Sequence, residues 1–158
     1  MRASLTVLSL SLVACGSDPP RAFTEGDSGP DGNVTTDGGK VDLSGGGVVS
    51  NSTVLIDTES GNNSSAGNIT LSGSVSSDAG GQNLTLDAST SGAANSGGTI
   101  SVAKFDDSAG SNINHLTVSA ANSTGTAGDV TFNNSASLDG DLTVSAKTIK
   151  LNASTVAG

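Results

Sequence analysis

The chain has 158 residues and a formal charge of −9, with 2% aromatic residues and neither Trp nor Tyr. That length holds one domain and a linker, and the composition excludes a core built on large rings. Six Lys and Arg residues are too few to displace counterions from a nucleic acid or to form a polybasic patch for anionic lipid.

In chain order, Leu5 to Ala14 is a weakly apolar run behind Arg2. It fits a secretory leader and is too short to span a bilayer. Leu12-Val13-Ala14-Cys15 then resembles the bacterial lipoprotein box, with the chain's only Cys after a small residue. The resemblance implies that residues 1–14 are removed as a signal peptide. It also implies that Cys15 becomes a mature N-terminus bearing a thioether-linked diacylglycerol and an amide-linked fatty acid. At about 0.8 kcal/mol per buried methylene, two or more such chains hold a protein on a membrane where one does not. Gly16 follows the Cys, which by resemblance to the enterobacterial sorting pattern points to the outer membrane or cell surface.

Residues 15–40 read as an acidic, Gly-, Pro- and Ser-rich disordered tether, because Pro19, Pro20 and Pro30 interrupt a stretch with neither strand nor helix periodicity. Asp27 to Asn33 gathers oxygen ligands around glycines, but it lacks EF-hand spacing and a bidentate Glu, so it reads as solvated linker. Val41-Asp42-Leu43 and Val54-Leu55-Ile56 have strand composition, broken by Gly45-Gly46-Gly47. Residues 41–60 are the candidate cap, since an open solenoid end exposes its core and its strand edges.

From Asn68 to Asn152 one phrase recurs: polar, apolar, Thr, apolar. It is seen in Asn68-Ile69-Thr70-Leu71, Asn83-Leu84-Thr85-Leu86, Thr99-Ile100-Ser101-Val102, His115-Leu116-Thr117-Val118, Asp129-Val130-Thr131-Phe132, Asp141-Leu142-Thr143-Val144 and Thr148-Ile149-Lys150-Leu151. The first apolar position returns after 15, 16, 16, 14, 12 and 7 residues, the mark of a repeat architecture. Alternation points the two apolar residues of each phrase inward, Ile149 and Leu151 included, and points Thr70, Thr85, Ser101, Thr117, Thr131, Thr143 and Lys150 outward. Every second phrase follows a glycine (Gly67, Gly98, Gly128), and the phrases between tend to end in Ala (Ala88, Ala120, Ala146). One coil therefore holds either two or three short strands in about 30 residues or a single pass of about 15. The expected fold is all-β, a right-handed parallel β-helix (solenoid) of a few coils over residues 41–158.

These phrases resemble the passenger repeats of filamentous-haemagglutinin-type and autotransporter-type adhesins. The resemblance implies a right-handed parallel β-helix on a cell surface with a glycan or protein ligand. Two of that family's features, a C-terminal barrel of aromatic strands and a two-partner secretion domain, are not recognisable here, and the last repeat stops at Gly158 without an evident cap, as in a short relative or a fragment.

Catalysis, cofactors and metals are not expected. β-Helical polysaccharide lyases and hydrolases use clustered Asp with Arg or Lys, and the repeat has only Lys104, Lys147 and Lys150. Asp129 and Asp141 hold the same place in successive phrases, so stacking of those phrases would bring two carboxylates together; the competing reading is turn residues at strand entrances, as for Asp106-Asp107 and Asp139-Gly140-Asp141. His115 has no patterned partner. Gly80 to Asp87 echoes a calcium-binding nonapeptide out of step. The outward Ser/Thr set, Thr70, Thr85, Ser101, Thr117, Thr131 and Thr143, is the candidate binding face. The expectation is a non-enzymatic, lipid-anchored adhesin-like or structural protein; the alternatives are a degenerate or truncated carbohydrate-active β-helix of the polysaccharide lyase or hydrolase kind and, more remotely, an ice-binding solenoid.

Overall fold

The computed structural model describes residues 33–43, 47–49, 53–77, 81–105, 113–134, 136–152 and 156–157. The expected leader, Cys15, the tether up to residue 32 and the Asp106-Asp107 turn lie outside the described residues. These residues contain strands and no helix: β1 (Val34–Thr35), β2 (Val41–Leu43), β3 (Gly47–Val49), β4 (Thr53–Asp57), β5 (Ile69–Ser77), β6 (Asn83–Asp87), β7 (Ile100–Phe105), β8 (Leu116–Ser119), β9 (Asp129–Phe132), β10 (Ala136–Ser137), β11 (Leu142–Ser145), β12 (Thr148–Leu151) and β13 (Val156–Ala157). Among the described residues strand pairing starts at Val34, inside the stretch expected as tether, because Val34 and Thr35 pair with Ile56 and Asp57.

All named strand pairs are parallel. One sheet runs β1-β4-β6-β8-β11 and a second β12-β9-β7-β5-β2, with β3 beside the far half of β5 and β10 paired with β13. Consecutive phrases alternate between the two large sheets. Each phrase therefore pairs with the next but one: Ile69 with Ile100, Ile100 with Val130, Leu84 with Leu116. The stacking period is thus about 30 residues, and the 15-residue recurrence is half of it. Within β5 the register shifts between Leu71 and Ser74, so the chain turns a corner and places Val75 between Gly47 and Phe105 on a third wall.

Period-two alternation sends two side chains per phrase into the space between the sheets. Register then stacks like on like: Val41, Ile69, Ile100 and Val130 in one column, Val54, Leu84 and Leu116 in another, with Leu71, Val102 and Phe132 beside the first and Ile56, Leu86 and Val118 beside the second, all buried. No single phrase could offset its ordering entropy, so cohesion comes from the interfaces between rungs. Phe105 and Phe132, each 2% exposed, provide the only large rings among the described core residues.

The glycine column has a steric cause. A Cβ on Gly98 would lie 2.0 Å from the Gly67 carbonyl oxygen, one on Gly128 2.0 Å from that of Gly98, and one on Gly67 2.2 Å from that of Gly39. Beside it, the Gly98 N–H donates to the Ala88 carbonyl at 2.8 Å and the Gly128 N–H to that of Ala120 at 2.7 Å. Two backbones meet at this corner too closely for a larger residue on either side.

The two ends of the stack differ. At the first, the edge strands β1 and β2 carry Val34, Val41 and Leu43, and next to that rung Thr58 and Glu59 are buried, with the Glu59 carboxylate accepting hydrogen bonds from the Asn63 N–H (2.8 Å), the Ser64 N–H (3.1 Å) and Ser64 Oγ (2.7 Å). At the last, Ile149 and Leu151 occupy the inward columns, opposite Val130 and Phe132, but they are 48% and 57% exposed. Burial had been expected for both. Alternation sets the direction of a side chain, whereas its cover comes from the next rung, and among the described strands β12 is an edge.

Candidate binding face

The expected outward residues do point out, but not on one face. Thr85, Thr117 and Thr143 form one in-register column on the first sheet, continued by Leu55. Thr70, Ser101 and Thr131 form another on the second, between Asp42 and Lys150. The phrases alternate between sheets, so the six hydroxyls divide three and three. Thr117 and Thr143 are exposed and the other four half-buried. Along each column the hydroxyls repeat at the inter-strand spacing of about 4.8 Å.

Flanking columns make each face a grid. On the first sheet, Asp57, Asp87, Ser119 and Ser145 lie in register. The Asp57 and Asp87 carboxylates each accept the N–H two residues on, from Glu59 at 2.9 Å and Ser89 at 2.8 Å, so both cap the turn that ends their strand. Burial raises the Asp57 pKa, and the charges of Asp87 and Glu59 add to this against the hydrogen bond from Glu59. Burial acts in the same direction on Glu59, but the hydrogen bonds it accepts from the Ser64 side chain and from the Asn63 and Ser64 N–H groups outweigh it and hold that carboxyl low.

Asn side chains supply a feature that sequence reasoning missed. Asn33, Asn68 and Asn83 each offer Oδ1 to a backbone N–H of the neighbouring rung, those of Leu55, Thr99 and His115, at 2.9, 2.9 and 3.2 Å. On the second sheet Asn152 Nδ2 donates to Asn133 Oδ1 at 2.9 Å, and Asn133 Nδ2 to Ser101 Oγ at 3.0 Å. At a far corner, Asn122 Nδ2 donates to the Asn95 carbonyl at 2.9 Å while its Oδ1 accepts from the Thr124 and Gly125 N–H groups. The available signal was Asn at the polar position of the phrase and in the turns.

Asp129 and Asp141 are not stacked. Asp129 belongs to β9 and pairs with Thr148, while Asp141 precedes β11 and lies against His115 on the other sheet. The Asp129 pKa is lowered chiefly by a hydrogen bond from the Thr148 side chain, with Lys150 at 3.4 Å. The Asp141 N–H donates to His115 Nδ1 at 3.0 Å, so that nitrogen carries no proton while the bond holds. The approach of Asp141 Oδ2 to the same nitrogen, at 3.6 Å, is therefore a proximity and not an ion pair in this state. Among the described residues no group of three or more His, Cys, Asp and Glu side chains is placed to hold a metal ion.

Comparison of the chain with family models, with curated proteins and with solved structures gave no match. Function must therefore be argued from the grid itself. It is polar, periodic and rich in hydroxyl and amide groups, and both described phenylalanines are buried beneath it. Such a surface recognises by hydrogen bonding along a length rather than by enclosing a small molecule.

Proposed function

We propose that the chain is a short right-handed parallel β-helix, held at the bacterial cell envelope by lipid on Cys15, that works as a non-enzymatic, adhesin-like surface protein. The observation that carries the reading is the register of the outward columns, Thr85-Thr117-Thr143 and Thr70-Ser101-Thr131. A repeating ligand, a surface glycan or an extended protein segment, meets the same hydroxyl at every rung. The carbohydrate-active alternative has lost the carboxylate pair that suggested it, because Asp129 and Asp141 lie on different sheets. For ice binding, the flanking columns mix Asn, His, Asp and Ser where a uniform Thr array is needed.

The anchor is tested by metabolic labelling with a fatty-acid probe. The wild-type chain takes up the probe and fractionates with membrane, and Cys15→Ser does neither; equal labelling of both would refute the anchor. The face is tested by measuring binding and turnover together on neutral and acidic polysaccharides. Binding that falls in a Thr85→Ala/Thr117→Ala/Thr143→Ala chain, without release of sugar, is expected. Chain cleavage of any polysaccharide would refute the non-enzymatic reading.

A further inference from the structure

We propose that His115 is a pH-sensitive latch between the β8 and β11 rungs. Unprotonated, its ring holds the backbone of Asp141; protonated, it releases that backbone and takes the Asp141 carboxylate instead. The position is one post of a ladder. At three rung entrances an Asn side chain accepts the N–H of the residue in the same place on the neighbouring rung: Asn33 from Leu55, Asn68 from Thr99 and Asn83 from His115, at 2.9, 2.9 and 3.2 Å. His115 makes the same bond to its own neighbour through Nδ1, which accepts the Asp141 N–H at 3.0 Å. An amide oxygen remains an acceptor at any ordinary pH, whereas Nδ1 has one lone pair and loses it to a proton. Imidazole is the side chain that ordinarily changes charge between about pH 5 and 8, and this chain has a single His.

The ring is seated tightly on the turn that leads into β11, since a Cβ on Gly140 would stand 2.8 Å from both His115 Cε1 and Nδ1. Protonation sets donor against donor across 3.0 Å, so ring and turn part and the Asp141 N–H loses its acceptor. The new partner is at hand, because Asp141 Oδ2 lies 3.6 Å from the same nitrogen on a side chain that is 90% exposed. Few charges face the ring. β6 offers neutral Asn83 and, at its far end, Asp87, which is in register with Ser119. The turn carries Asp139, whose N–H donates to the Ile113 carbonyl at 3.0 Å. β6, β8 and β11 contain no Lys or Arg. The bonds from the Leu84 N–H to the His115 carbonyl and from the Leu116 N–H to the Asp141 carbonyl, both 3.0 Å, keep the rungs paired, so the change is confined to the entrance of β11.

His115 and Asp141 stand two residues before Thr117 and Thr143, on the same outward side of the first sheet. The latch therefore sets the charge that this face presents. At neutral pH the face shows an uncharged ring and an unneutralised carboxylate, and in acid it shows an ion pair closed across two rungs. Regulation of a ligand in this way rests on the binding role given to the face under Proposed function; the latch itself does not.

The test is an NMR titration of the isotopically labelled full chain from about pH 8 to about pH 5. Expected at the upper end is a neutral ring with its proton on Nε2, read from the imidazole nitrogen shifts. As the ring titrates, the hydrogen-exchange protection of the Asp141 amide should fall by about fivefold or more, and the carboxyl carbon shift of Asp141 should follow the same curve. The Thr99 amide, held by Asn68, is the internal control and should stay protected. His115→Asn installs the acceptor used at the other posts and should keep the Asp141 amide protected throughout, which separates proton-driven release from a general loosening in acid. A neutral ring with its proton on Nδ1, an Asp141 amide equally protected on both sides of the titration, a carboxyl carbon blind to it, or release that persists in His115→Asn would overturn the latch. No ligand enters this experiment. A face that binds no polysaccharide while the latch titrates as described refutes the binding role alone, and the reverse outcome refutes the latch alone.

Discussion

Gly98→Ala is the sharpest probe of the stacking. The added methyl would sit 2.0 Å from the Gly67 carbonyl oxygen, 2.7 Å from its carbon and 3.1 Å from Ala88 Cβ. The first two are backbone atoms, so no rotamer change relieves them, and a separation of at least 3.0 Å requires the rungs to part by about an ångström. Parting strains the adjoining hydrogen bonds, from the Gly98 N–H to Ala88 and from the Ile69 N–H to Thr99, at 2.8 and 3.0 Å. Two weakened bonds at about 1 kcal/mol each and about 1–3 kcal/mol of overpacking give a loss of roughly 3–5 kcal/mol, or about 10–20 °C in melting temperature for a domain of this size. Gly81→Ala is the control, because Gly81 has φ of +74° but no atom within 4 Å of the added carbon; it should lose only about 1–2 kcal/mol through backbone strain. Both are measured by urea denaturation followed by circular dichroism. If Gly98→Ala costs no more than Gly81→Ala, close approach is not the reason for the glycine column.

Other substitutions test the core, the cap and the carboxylates. Phe132→Ala, in the buried column, should cost about 3–5 kcal/mol and Leu151→Ala, on the exposed rung, under about 1 kcal/mol; equal losses in denaturant titration would contradict the burial assigned to them. Glu59 has its pKa lowered from an ordinary 4.5. Its contribution to stability is therefore complete above that value and lost as pH falls through the lower folded-state value. Glu59→Gln should lower stability at neutral pH and flatten this acid limb in a series of melts, and an unchanged limb would count against the hydrogen bonds from Ser64 and Asn63. Asp57 has its pKa raised from 3.8, so its contribution is complete below that value and lost as pH rises through the higher folded-state one. Asp57→Asn keeps an acceptor for the Glu59 N–H and removes the charge, and it should raise neutral-pH stability slightly, by under about 0.5 kcal/mol after solvent screening; a drop would refute a net cost of burying that charge beside Asp87.

The inward set from Ile69 to Phe132, the outward Thr positions and the spacing of Gly67, Gly98 and Gly128 were all legible in the sequence. Each depends on local alternation or on a steric demand that leaves only one residue type possible. Which phrase lies on which was not legible. Coils of about 30 and of about 15 residues both fitted the recurrence, and only the second would have set Asp129 against Asp141. Only the folded chain sends consecutive phrases to different sheets, because pairing depends on how the corners at Gly67, Gly98 and Gly128 return the backbone, a matter of contacts some 30 residues apart. The exposure of Ile149 and Leu151 was hidden for the same reason. A strand determines the direction of its side chains by itself, and whether anything covers them is decided by its neighbours.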